Sequence, residues 1–246
     1  KSHLRRLVEE NLKNKSKTLN EMLTEYQRDV LQNRFGVEKN FGCQYLSMMP
    51  HKFPDDTELL NAAKRFMFIC MRSFVDALKL RHEICPDKRT ERKMTKSEIL
   101  EFFEACNALM AMPETKKILK QTYESTKTPP GDKVIELQRE MLEILGIEKD
   151  FGVSCLNHIP KDFPDDPNIM QKMQQFAMCA NVVTREACMS DEERRQFYAD
   201  IPIFMQHVPH MFVIGQQQQM MRMQQMQMQQ QMGYNQHGHN HNHNHN

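Results

Sequence analysis

An internal repeat restricts what this chain can fold into more than any other feature. Phe35-Gly36-Val37-Glu38-Lys39-Asn40-Phe41-Gly42 returns as Leu145-Gly146-Ile147-Glu148-Lys149-Asp150-Phe151-Gly152. The same offset of 110 residues carries Pro50 onto Pro160, and Phe53-Pro54-Asp55-Asp56 onto Phe163-Pro164-Asp165-Asp166. Upstream, one residue of slippage aligns Gln27-Arg28-Asp29 with Gln138-Arg139-Glu140, and Arg5-Arg6-Leu7-Val8 with Lys116-Lys117-Ile118-Leu119. Downstream, Met94-Thr95 matches Met189-Ser190 after an excess of 15 residues in the first copy. A repeat of this length is one folding unit used twice.

The copies read as helical. Leu19, Met22, Leu23, Tyr26, Val30 and Leu31 recur at spacings of three and four, as do Val134, Leu137, Met141, Leu142 and Leu145. Such spacing gathers apolar side chains on one helix face. A later stripe runs Leu59, Ala63, Phe66, Cys70, Phe74 and Ala77, with Ile169, Met173, Phe176, Ala180, Val183 and Ala187 in the copy. Thr18 with Glu21, Thr95 with Glu98 and Ser190 with Glu193 have the spacing of capping boxes. Gly36 and Gly146 stand where a left-handed residue closes a helix. Aspartate after Phe-Pro caps the next helix. Pro202 interrupts the counterpart of the last helix and should shorten or kink it. With only 8 glycines in 246 residues, strands are disfavoured. The expected fold is all-α: two tandem homologous four-helix units, 1–112 and 113–215, followed by a disordered tail, 216–246.

The stretch between the second and third helices is the most similar part of the copies. It reads as a demanding turn that plugs the bundle end, with Phe41, Phe151, Phe53 and Phe163 as core anchors. Glu38, Lys39, Glu148 and Lys149 are its candidates for recognition.

Seven cysteines are present. Each unit places one after the glycine segment and one in the third helix, which suggests staples Cys43–Cys70 and Cys155–Cys179. Cys85 and Cys106 form a third candidate pair, leaving Cys188 over. The competing reading is a set of small buried thiols in a reduced protein. No close cysteine pair marks a structural zinc site.

Residues 1–112 carry 20 Lys/Arg against 16 Asp/Glu; residues 113–215 carry 12 against 16. A net of +4 thus faces a net of −4, which suits docking of one unit on the other. The whole-chain charge of +1 gives no field to attract nucleic acid. No apolar run approaches the ~20 residues of a membrane span. The sequence begins at Lys1, and a removed signal peptide is one expectation for such a start. Secretion would make Asn14, in Asn14-Lys15-Ser16, a glycosylation acceptor; a cytoplasmic protein is the alternative.

Past Gly215 the composition turns to Gln and Met, then to alternating Asn and His. Such a segment cannot bury enough apolar surface to fold alone. It would self-associate, bind copper, zinc or nickel weakly through His237, His239, His241, His243 and His245, or do nothing. No phosphate loop, nucleophile elbow or zinc-protease motif occurs. The expectation is a non-enzymatic secreted structural or interaction protein, a matrix or coat component. It would need no cofactor and act through protein partners or self-association. The alternatives are a carrier of small apolar ligands and an intracellular scaffold with a prion-like tail.

Overall fold

The computed structural model describes residues 2–14, 16–199 and 220, and among them the fold is all-α. Residues 1–112 carry α1 (Ser2–Lys13), α2 (Leu19–Phe35), α3 (Lys39–Lys52), α4 (Thr57–Ile84) and α5 (Lys96–Ala111). The second copy carries α6 (Pro113–Thr126), α7 (Gly131–Ile144), α8 (Lys149–Asn157), α9 (Ile159–Asp162), α10 (Pro167–Cys188) and α11 (Asp191–Phe197). All three capping boxes form, at the starts of α2, α5 and α11. Asp56 and Asp166 each accept a hydrogen bond from the third backbone amide of the following helix. Gly36 and Gly146 take the left-handed conformation, φ +66° and +75°. There a side chain would crowd the next carbonyl, so glycine is the residue that fits. α11 ends at Phe197. Pro202, expected to shorten or kink this segment, lies outside the described residues.

The four-helix expectation needs one correction. The stretch taken as a turn is itself helical, as α3 in the first copy and as α8 with α9 in the second. Its glycines serve close packing, not a bend. A Cβ on Gly152 would lie 2.8 Å from both methyls of Leu142, and one on Gly42 would lie 3.0 Å from Leu31. Only glycine lets α8 approach α7, and α3 approach α2, this closely.

The core forms around α5. Ile99, Phe102, Phe103, Ala105, Cys106, Ala108 and Met110 are all buried, so the helix is apolar nearly all round. Such a helix needs cover on every side. It lies against α4 of its own copy and against α6, α7 and α10 of the next. One buried cluster therefore runs from Leu7, Leu19 and Phe74 through Phe102 and Phe103 to Met141, Leu142, Ile159 and Ile169. Phe176 of α10 stacks on Phe103 at 4.8 Å between ring centroids and tilts against Phe102 at 5.5 Å. Where α5 meets α4, Arg81 makes a two-pronged bond to Glu101, at 3.1 and 3.0 Å, and a bond to Asn11. Both charges are largely shielded from water, and pairing removes the penalty of burying either alone.

The extra residues of the first copy have a structural use. After α4 the chain crosses to the second copy. The Arg89 amide donates to the Gly146 carbonyl at 3.0 Å, and the Arg89 carbonyl accepts from the Glu148 amide at 3.1 Å. Four ion pairs join the copies among the described residues: Arg72–Glu114, Lys88–Glu143, Lys93–Asp162 and Lys96–Asp166. In each, the first copy supplies the base and the second the acid. The opposed net charges of the two copies meet at this seam.

Candidate functional site

The two copies carry the same apolar positions, but they bury them differently. In the second copy Leu145, Phe151, Phe163 and Phe176 pack against the main core, and Cys179 is fully enclosed. Their first-copy counterparts are Phe35, Phe41, Phe53, Phe66 and Ile69, which are 68, 58, 40, 47 and 64 % exposed. These five lie on α2, α3, the end of α3 and α4, helices that touch one another. Phe41 stacks on Tyr45 at 5.7 Å and extends the aromatic surface along α3. Single exposed apolar residues are ordinary. Five at matched repeat positions, on helices that touch one another, are a candidate interaction surface.

The cover of Phe176 comes from α5, which descends from the first copy onto α7 and α10 and sets Phe102 and Phe103 against it. Cys179 is enclosed instead beside Phe197 and Tyr198 of the segment after α10. Nothing among the described residues precedes the first copy to do the same for α2 and α4. Phe41 and Phe53 are accordingly not the core anchors the sequence suggested, whereas Phe151 and Phe163 do pack on the core. The cover comes from a neighbouring unit, so periodicity within one unit carries no sign of its absence.

The other residues singled out by the sequence fall elsewhere. Glu38 and Glu148 cap α3 and α8. Glu38 accepts from the Asn40 and Phe41 amides at 3.0 and 2.6 Å, and Glu148 accepts from the Phe151 amide at 2.7 Å. These amides hold both carboxyls below the usual glutamate range. Lys39 is tied to Asp29 on α2; in the second copy the residues one position along, Arg139 and Asp150, make the bond between α7 and α8. Lys149 is exposed. Glu38, Lys39 and Glu148 thus take part in contacts that fix the starts of α3 and α8. Asn14 is exposed, and its side chain accepts from the Ser16 amide at 3.2 Å. His237, His239, His241, His243 and His245 lie outside the described residues.

The expected disulfides are not formed. Cys70, Cys85, Cys106, Cys155, Cys179 and Cys188 are all unpaired thiols; the Cys43 side chain is outside the described set. Cys106 sits in the middle of the core, whereas Cys85 is exposed at the end of α4. Burial pushes the Cys106 thiol well up and that of Cys179 up to about 12. Both therefore stay protonated and unreactive at neutral pH.

Several clefts open on the surface among the described residues. One of about 510 Å³ is lined by Arg81, Arg89, Arg92, Glu98 and Glu101 among others. One of about 350 Å³ lies between Lys116, Lys120, Glu186 and Arg194. Both are open and charged; a further one of about 340 Å³ has Leu23, Met71, Phe74, Leu100 and Phe103 in its lining but also opens to solvent, unlike the enclosed apolar chamber a small-ligand carrier needs. Among the described residues no group of three His, Cys, Asp or Glu side chains is placed to hold a metal ion, and no helix is long and apolar enough to cross a membrane. No protein-family model, curated protein or solved structure matches the chain.

Proposed function

We propose that this chain is a non-catalytic interaction protein, a structural or assembly component that works through the uncovered face of its first copy. One observation carries the reading. Phe35, Phe41, Phe53, Phe66 and Ile69 are open to water at positions whose counterparts are packed in the second copy. Each large apolar side chain gains roughly 1.5–3 kcal/mol on burial, so a face of five is a strong driving force for a partner.

The sequence favours a secreted setting, a matrix or coat. A cytoplasmic scaffold is the second reading, supported by six unpaired thiols of which Cys106 and Cys179 are enclosed. Alkylation of the unfolded, unreduced protein followed by intact mass separates the two. Full labelling points to the reducing compartment, and protected cysteines point to the oxidising one.

The interaction reading is tested by placing a photo-crosslinking phenylalanine analogue at position 66 of the full chain in its native setting. Discrete adducts are expected at position 66 and not at the solvent-facing position 79 of the same helix. If position 66 yields no adduct, the face is not a contact surface.

A further inference from the structure

Two backbone groups of the first copy stand open, and the second copy shows how their counterparts are used. There the turn at Gly146, Ile147 and Glu148 holds the segment that crosses from α4 to α5. The Arg89 amide donates to the Gly146 carbonyl at 3.0 Å, and the Glu148 amide donates to the Arg89 carbonyl at 3.1 Å. The two bonds make one rung of a parallel β-ladder, between Arg89 and Ile147. The first copy presents the same turn. Gly36 and Gly146 are both left-handed, at φ +66° and +75°. Glu38 and Glu148 follow at φ −57°, ψ 136° and φ −60°, ψ 134°. The Gly36 carbonyl and the Glu38 amide nevertheless have no hydrogen-bond partner among the described residues. Val37 is half-buried, whereas Ile147 is 2 % exposed.

The surroundings of the two turns correspond as well. Beyond Arg89 the crossing segment passes Asp162 and Asp166, which pair with Lys93 and Lys96. It then enters α5, whose Phe102 and Phe103 clasp Phe176. The equivalent path on the first copy runs from Gly36 past Lys52 and Asp56 to Phe66, with Phe35, Phe53 and Phe66 exposed beside it. Granted the interaction reading above, we infer that the first copy takes up a segment of a partner protein with the chemistry of residues 86–104. An extended stretch adds a backbone rung at Val37, and a capped helix after it lays an aromatic pair on Phe66. Main-chain bonds give such an added strand its affinity, and side-chain sites give it specificity. One site differs between the copies. Lys52 stands where the second copy has Asp162, while Asp56 keeps the acid of Asp166. The partner segment therefore carries an acid where the crossing segment has Lys93, and a base where it has Lys96. A like charge at Lys52 disfavours the crossing segment's own sequence on this surface.

A fluorescent peptide of residues 86–104, titrated with the full chain and followed by anisotropy, tests this. It should bind saturably. Phe66→Glu in the chain should weaken binding at least about tenfold, the scale of a central interface residue. Methylating the Arg89 amide nitrogen of the peptide removes the donor to Gly36 and should also cost roughly tenfold, because the carbonyl is then covered without a bond. A peptide with Lys93→Glu should bind about threefold tighter than the unaltered one, the scale of an exposed ion pair. That gain should vanish in a chain carrying Lys52→Gln. Phe66 and Lys52 are exposed, so the circular dichroism of both chain variants should match wild type. Both residues lie on the first copy, so a peptide that merely displaced the crossing segment from the second copy would not respond to them.

No saturable binding, binding indifferent to Phe66→Glu or to methylation at Arg89, or no gain from Lys93→Glu would overturn the inference. Adducts from position 66 separate this failure from failure of the interaction reading. Adducts to another protein without the peptide pattern keep the face as a contact surface and remove this occupant. An adduct to the chain itself, in the same molecule or in a second copy, also removes it. Adducts to another protein together with the peptide pattern support both. The absence of any adduct removes both.

Discussion

Phe66 and Phe176 are the same residue at the same place in two copies of one unit. One ring is half open to water, and the other is clasped by Phe102 and Phe103. Their own copies supply nearly the same surroundings. The difference is the neighbour: α5 leaves the first copy and becomes part of the packing of the second. In arrays of stacked units, stability comes from the unit plus its interface with the next, and end units are the ones left bare. Among the described residues the first copy is the bare one, and it carries aromatic residues there rather than polar ones.

Several substitutions would break or sharpen this contrast. The largest effect belongs to the shared helix. Phe102→Ala removes a fully buried ring between α4 and α10 and should cost about 3–5 kcal/mol in urea denaturation. Protection from hydrogen exchange should fall in α4 and α10 together. Phe66→Ala should stay within about 0.5 kcal/mol of wild type for the monomer. A comparable loss at Phe66 would mean that its face is already covered.

Next come the paired glycines. Alanine in the left-handed region costs roughly 1–2 kcal/mol, so Gly36→Ala and Gly146→Ala should both lower the melting temperature. Gly146→Ala should lower it further, because its Cβ would lie 3.2 Å from the Asp87 carbonyl, whereas Gly36 has open space. Equal effects would mean that the crossing segment does not hold the Gly146 turn.

The seam between the copies is worth less. Lys88–Glu143 and Lys93–Asp162 are partly exposed pairs, each contributing about 0–1 kcal/mol. Neutralising Lys88 and Lys93 should therefore shift stability slightly at low salt and not at ~1 M salt, where charges beyond about 3 Å are screened.

The smallest effect should show no contrast at all. Glu38 and Glu148 have carboxyls that titrate lower in the folded chain than in the unfolded one. Their contribution is present at neutral pH and fades as pH falls through the lowered folded value, because protonation ends the bond to the amides. Glu38→Gln and Glu148→Gln should flatten the acid limb of the stability profile equally. Inequality would show that cover by α5 reaches the α8 cap.

What the sequence disclosed follows the range of the interactions. Capping boxes at Thr18, Thr95 and Ser190, aspartate caps and left-handed glycines depend on neighbours within a few residues, and all formed. α3 and α8 were hidden by Gly42, Gly152, Pro50 and Pro160, which resemble turn chemistry. The need for Gly152 comes from Leu142 on another helix, a contact that local spacing does not encode. The thiol pairings failed for a like reason: Cys106 on its apolar stripe fits a core residue as well as a staple, and only the packing separates the two. The uncovered face was least legible, because the stripes that carry Phe66 and Phe176 have the same period.

Met112 ends α5 and begins α6, with Pro113 following at once. The joint between the copies is thus one residue long, extended at φ −64° and ψ 135°, and buried. It leaves no slack. Any swing of one copy against the other has to turn the dihedrals of that residue while dragging α5 across α10. The described part of the molecule should therefore bend as a single stiff beam.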